Sequence, residues 1–332
     1  MKNIALCFDN FNPAGNAAAL AGMLRRSAGQ LVWTPAHVPL NGRPRHHHVF
    51  DAARRHIVAA YDFLSDAWEP GDRVFIAGAG RDGACARALA RLVGVVGVLP
   101  VDDATGSLAE LREYLVSTYA LPRIARDQAD WQRLRRIAEE LRGRDDTSVT
   151  VTFLGLWDTR AVPGVPSGAY VDPATHVEAA RHAVAIDART AAVPLDSDAD
   201  AHQQVWFRGA HGDITGAPHS CAALSDIALD WVLDGAVSAG AELADPAGRR
   251  APNPIDALAG SHHPVLPRRL PADAAVHASV ECYLRAHPAY WRRLPAQVEW
   301  ADPDWVARGE RLMASPQSTE TPAAQHALVG TS

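Results

Sequence analysis

Gly78-Ala79-Gly80-Arg81-Asp82-Gly83 follows a compact apolar run, Val74–Ala77, and precedes a stretch of small residues with helical spacing. Two kinds of chemistry use a glycine-rich turn at such a place. As G-x-G-x-x-G it fits a dinucleotide fingerprint built on Gly78, Gly80 and Gly83, with Asp102 near the spacing of a ribose-binding acid. As a degenerate G-x-S-x-G it fits a nucleophile elbow, in which a serine is presented at a strained strand-to-helix corner. The elbow demands an acid after a later strand and then a histidine, in that chain order. Asp158 and His211, each just past an apolar run, meet both demands. The dinucleotide reading leaves them without a role, so the elbow is preferred, with Gly80 at its nucleophile position.

Glycine tolerates the positive φ of such a corner, so the turn persists, but it supplies no attacking oxygen. No serine lies between Ser65 and Ser107, and a one-residue slip does not restore one. Cys85 is the nearby alternative nucleophile, and its spacing places it in the following helix, facing the core. Removing the nucleophile of a Ser-His-Asp triad typically lowers kcat by about 10⁶. Two functional classes follow. The first is a degenerate hydrolase that binds a lipid, acyl ester or protein partner. The second is an active hydrolase with a rebuilt site, using water activated by His211, Cys85 or a metal. The dinucleotide-binding protein stays as the third alternative. His46-His47-His48 and His262-His263 lie in polar stretches, and Asp9, Asp158, His211 and Asp213 fall near one edge of the expected sheet. Metal sites need ligands converging from fixed elements. No metal and no cofactor is expected.

The elements that must position these residues are legible as alternating runs. Strands are expected at Ile4–Phe8, Leu31–Trp33, Val74–Ala77, Val149–Leu156 and Gln204–Phe207. Helices are expected over Asn16–Ala28, Ala52–Trp68, Ala84–Val93, Leu108–Arg142, His176–Asp187 and Leu224–Ala239, with a further apolar run at Val93–Val101 leading into Asp102. The alternation predicts an α/β fold, a mostly parallel sheet with helices on both faces and function at the carboxyl ends of its strands. One domain over residues 1–310 is expected, with a Pro-rich irregular wrap at 244–275 and a flexible tail at 311–332. Lys+Arg is 32 against Asp+Glu 38, a net charge of −6, which argues against a nucleic-acid partner. The four scattered cysteines read as reduced core thiols. The amino-terminal apolar run is too short for a signal peptide, and no apolar stretch has the length of a membrane span. The cytoplasm is the expected location.

Longer motifs carry a resemblance. They include Cys7-Phe8-Asp9-Asn10, Phe153-Leu154-Gly155-Leu156-Trp157-Asp158-Thr159, Val205-Trp206-Phe207-Arg208-Gly209-Ala210-His211-Gly212-Asp213 and His277-Ala278-Ser279-Val280. Through these, over roughly Lys2 to Pro295, the chain resembles the phospholipase-like α/β-hydrolase domain of type VI secretion lipase effectors of the first family. The family elbow is Gly-Phe-Ser-Arg-Gly-Ala, whose serine falls on Gly80 and whose second glycine falls on Asp82. The resemblance implies that Asp158 orients the imidazole and His211 is the general base. It further implies an oxyanion hole from the N–H of Arg81 and one from the loop near Asn10 or Phe11, where the family has Asp-Gly-Thr and this chain has Asp9-Asn10-Phe11. Asp9, Asp82 and Asp213 would line the site, and Glu178, Arg181 and Asp187 would match helix positions. Family members are exported by a contractile apparatus without a signal peptide, so export of this chain stays open.

Overall fold

The computed structural model describes residues 1–36, 45–99, 107–142, 148–166, 176–195, 199–246, 249–261 and 268–312. Eight strands form one sheet: β1 (Asn3–Phe8), β2 (Gln30–Trp33), β3 (Arg73–Ala79), β4 (Val151–Trp157), β5 (Val177–Ala185), β6 (His202–Phe207), β7 (Ala275–His277) and β8 (Glu299–Ala301). Their order is β2-β1-β3-β4-β5-β6-β7-β8, and every neighbouring pair is parallel. The chain reverses its direction of travel across the sheet between β1 and β3. In open parallel sheets that switch point leaves a crevice beyond the carboxyl ends of the strands.

Period-two alternation assigns side chains to the two faces. Ile4, Leu6 and Phe8 of β1 join Val74 and Ile76 of β3 in one core, beneath α2 (His46–Ala67) and α3 (Arg81–Val96). Ala5, Cys7, Phe75 and Ala77 point the other way, against α1 (Asn16–Met23) and α7 (Ala222–Ser238). Both faces are therefore covered, which is why the strands read as near-continuous apolar runs. Helix α3 is buried along almost its whole length. Its alanines lie on two sides, Ala84 and Ala88 on one and Ala86 and Ala90 on the other, and all four are buried. The remaining helices are α4 (Ser107–Leu115), α5 (Gln128–Arg142), α6 (His211–Thr215), α8 (Ser279–Ala286) and α9 (Trp305–Leu312).

Several expectations are corrected. His176–Asp187, expected as a helix, instead contains β5 at Val177–Ala185. Its backbone pairs with β4 on one side and β6 on the other, and tertiary pairing overrides the helix-forming composition. The apolar run Val93–Val101 begins inside α3, which continues through Val96, and its last two residues lie outside the described ones. The polar His46–His48 opens α2 and its side chains are exposed. The expected helix at Leu108–Arg142 is two helices joined by a π-helical turn at Val116–Ala120 and the residues after it. Within 244–275 the described residues are mostly irregular, with one 3₁₀ turn at Asp256–Leu258. Asp102, His262, His263 and most of the tail at 311–332 lie outside the described residues. Among the described residues no helix is long and apolar enough to cross a membrane.

Candidate active site

The turn after β3 has the geometry an elbow needs. Gly80 sits at φ +59° and ψ −120°, in the region that L residues seldom enter, and caps the amino end of α3. The corner is tied to the end of β4 from both sides. The Gly80 N–H donates to the Trp157 carbonyl at 2.8 Å, and the Arg160 N–H donates to the Gly80 carbonyl at 2.9 Å. Gly78 is required by a close approach, because a Cβ there would lie 2.4 Å from the Asp82 carbonyl oxygen.

Asp158 follows β4, and its backbone is also unusual, at φ +38°. Its carboxylate is fully buried and fixed from three directions. It accepts from the Ala185 N–H at 3.0 Å, from His211 Nδ1 at 2.6 Å, and from Arg268 Nη1 and Nη2 at 2.6 and 3.3 Å. Burial opposes its ionisation, but His211 and Arg268 outweigh burial and hold the carboxyl well below the usual carboxylate range.

His211 begins α6, one short turn beyond the end of β6. The carboxylate of Asp158 can only accept, so it fixes the proton on Nδ1 and leaves Nε2 with a lone pair. Burial lowers the His211 pKa, and the nearby Arg160 and Arg268 reinforce it against the pull of Asp158. The imidazole is therefore neutral near pH 7 and its Nε2 is a proton acceptor. Its position is the key observation: a Cβ built on Gly80 would lie 3.3 Å from both Nε2 and Cε1 of His211. A hydroxyl carried on such a Cβ is within hydrogen-bond reach of that lone pair.

The sequence-derived residues thus divide. Gly80, Asp158 and His211 come together. Arg81 is exposed at the first position of α3, where helix geometry leaves its N–H without an intrahelical partner. Asp82 and Asp213, expected to line the site, are instead fully buried. Asp213 accepts from the Ala210 and Cys221 N–H groups, both at 2.9 Å, and from the Ser261 hydroxyl at 2.5 Å, bracing the turn that carries His211. Asp82 accepts the Phe11 N–H at 2.8 Å, and the amides of Asn10 and Asn12 also favour its ionised form. Burial dominates all the same and pushes the Asp82 pKa up to about 8. Asn10 is buried, and neither polar atom of its side chain finds a hydrogen-bond partner among the described residues. Asp9 stands half-buried beside it and raises the Asp82 pKa further.

Cys85 lies inside the core beneath α2 and α3, with no exposed surface, and burial raises its pKa well above the thiol range. A neutral, inaccessible thiol is no substitute nucleophile. Among the described residues no three His, Cys, Asp or Glu side chains converge as a metal site. Glu178 is exposed, whereas Arg181 pairs with Asp234, and Asp187 holds the Tyr290 hydroxyl and Arg293. The residue that sequence reasoning missed is Arg268. It comes from the irregular stretch, and only its neighbouring Arg269 marks it in the sequence. A separate cavity of about 470 Å³, lined by Arg181, Asp234, Glu299 and Arg308 among others, opens by the amino ends of β6, β7 and β8, at the opposite edge of the sheet.

The family described as T6SS phospholipase effector Tle1-like, catalytic domain, matches residues 45–235, more than half of the chain. No curated protein matches. Among solved structures, an uncharacterized protein from Pseudomonas aeruginosa is 16% identical with a TM-score of 0.41, over 74% of this chain and 47% of that one. The Tle1 effector bound to the VgrG spike of the type 6 secretion system is 17% identical with a TM-score of 0.35, over 67% of this chain and 52% of that one. The chain spans about half the length of the solved structures it matches. With an all-parallel sheet covered on both faces and the matched segment running from α2 through most of α7, the chain belongs to the family of Tle1-like catalytic domains of type VI secretion phospholipase effectors.

Proposed function

We propose that this chain is a Tle1-like hydrolase domain that keeps the corner, the acid and the base of a Ser-His-Asp site but lacks its nucleophile. It engages an acyl-ester or phospholipid ligand without forming an acyl-enzyme. The observation that carries this reading is the 3.3 Å between Nε2 of His211 and the point where a Cβ on Gly80 would stand. A base aimed at an empty position can orient a ligand or a water, but the covalent step has no attacking oxygen. What binding and oxyanion contacts alone supply is about 10³–10⁴ over water, against the roughly 10⁶ lost with the nucleophile.

A second reading is favoured by the neutral state of the imidazole. His211 Nε2, with its lone pair directed at the Gly80 corner, removes a proton from a water held there. That water attacks the ester carbonyl directly, and the proton passes from His211 to the leaving alcohol. The dinucleotide alternative has little support: the buried Asp82 carboxyl occupies amides of the loop after β1, beside the turn where a diphosphate would need free N–H donors and no neighbouring acid. As a member of an effector family, the chain is further proposed to be exported by the type VI apparatus through contacts with a protein partner.

A panel of acyl esters and phospholipids, assayed with wild type and His211→Ala, tests the reading. The relic predicts no hydrolysis above background in either protein, together with retained binding to phospholipid vesicles. Hydrolysis by wild type that is lost in His211→Ala establishes the water-activating alternative.

A further inference from the structure

The loss of the nucleophile does not stand alone at this corner. Phe8, the last residue of β1, pairs with Gly78, so the loop Asp9–Asn12 runs directly beside the turn at Gly80. In elbow enzymes one oxyanion donor comes from the residue after the nucleophile and the other from a neighbouring strand-to-helix loop. Here the backbone N–H of Phe11, in that neighbouring loop, is already taken. Asp82 Oδ2 accepts it at 2.8 Å, and the amides of Asn10 and Asn12 also favour the ionised carboxyl. Asp82 has no exposed surface, and its second oxygen, Oδ1, finds no hydrogen-bond partner among the described residues. The Phe11 amide is what holds this buried carboxyl against the loop.

We propose that Asp82 is a built-in plug of the oxyanion pocket, its carboxyl oxygen occupying the place where the oxygen of a tetrahedral adduct would be stabilised. The inference rests on the reading of Gly80 as the nucleophile position, and it makes the site doubly closed. Restoring a hydroxyl at position 80 does not restore the site, because the Asp82 carboxyl fills the place of the developing oxyanion and keeps the Phe11 N–H engaged. The Arg81 N–H remains as the single donor.

The test is a set of variants assayed on one activated acyl ester: Gly80→Ser, Gly80→Ser with Asp82→Gly, and Gly80→Ser with Asp82→Ala, each with and without His211→Ala, and each checked for a cooperative melt. Freeing one oxyanion donor is worth roughly 10²–10³-fold in rate. Both double variants are expected to exceed Gly80→Ser by that factor and to lose the gain with His211→Ala. Gly80→Ser alone as fast as the doubles, and dependent on His211, overturns the plug while leaving the nucleophile position intact. Folded variants that are all inactive overturn the reading of Gly80, and the plug with it. Amide exchange in wild type gives a measurement free of folding effects. The plug predicts a protected Phe11 N–H, although it lies in a loop; free exchange at Phe11 overturns it.

Discussion

Nε2 of His211 faces Gly80 across 3.3 Å, measured to the point a Cβ would occupy. On the proposed reading, an acid, a base and a strained backbone corner stand in register around a position that carries no side chain. Positive φ at Gly80 and at Asp158 is retained, and such conformations persist only where the surroundings over-determine them. Here the surroundings are the backbone bonds that tie Gly80 to β4 and the three groups that hold Asp158.

Arg268 is predicted to be a positioning residue for the acid–base pair. Removing it leaves the buried Asp158 carboxylate with the His211 Nδ1 and Ala185 N–H donors but no cation, and frees the Ala185 and Thr190 carbonyls that its guanidinium holds. Arg268→Ala is expected to lower stability by about 3–5 kcal/mol. It should also raise the His211 pKa, because one of the cations that lowers it is gone. Urea unfolding measures the first effect and an NMR titration of the imidazole the second. A stability loss below about 1 kcal/mol would show that the pair does not depend on Arg268.

Asp82 gives a pH signature. Its pKa lies at about 8 in the folded protein against an ordinary value of 3.8, so the folded state keeps a proton that the unfolded chain gives up. The stability associated with that proton is fully present below the unfolded value and is lost as pH rises through the folded one. Asp82→Asn keeps the shape and the acceptor for Phe11 without an ionisable group. Thermal melts between about pH 5 and about pH 8 should therefore decline less steeply for Asp82→Asn than for wild type. Parallel declines would refute the assignment.

The cysteines are predicted to be inert. Cys7, Cys85 and Cys221 are buried, and burial pushes the Cys7 thiol up to about 12. Cys282 is half-buried with a raised pKa. A thiol reagent such as a disulfide-exchange chromophore should label native protein at Cys282 at most, and all four cysteines only in denaturant. Rapid native labelling of Cys85 would reopen it as a nucleophile.

Much of this was legible in the sequence, for physical reasons. Fully buried parallel strands leave apolar runs, so β1, β3, β4 and β6 stand out, and the turn residues between them mark the carboxyl edge of the sheet. Strand β5 was not legible as a strand, because Val177-Glu178-Ala179-Ala180-Arg181 has helix-forming composition and only its two strand neighbours decide the matter. Strands β7 and β8 are three residues each, too short to show a period. Asp158 and His211 could be placed by chain order. Arg268 could not, since an Arg-Arg pair in an irregular stretch carries no spacing signal. Asp82 was visible as a departure from the elbow pattern, but the direction of its carboxyl, inward onto the Phe11 amide, depends on how the loop after β1 closes against α3.

The central claim is that no activated nucleophile stands before His211. Intact-mass spectrometry of wild-type protein exposed to a fluorophosphonate, which captures serine-type nucleophiles activated by a neighbouring base, tests it most directly. The account predicts an unmodified mass. A stoichiometric adduct that disappears in His211→Ala would contradict it.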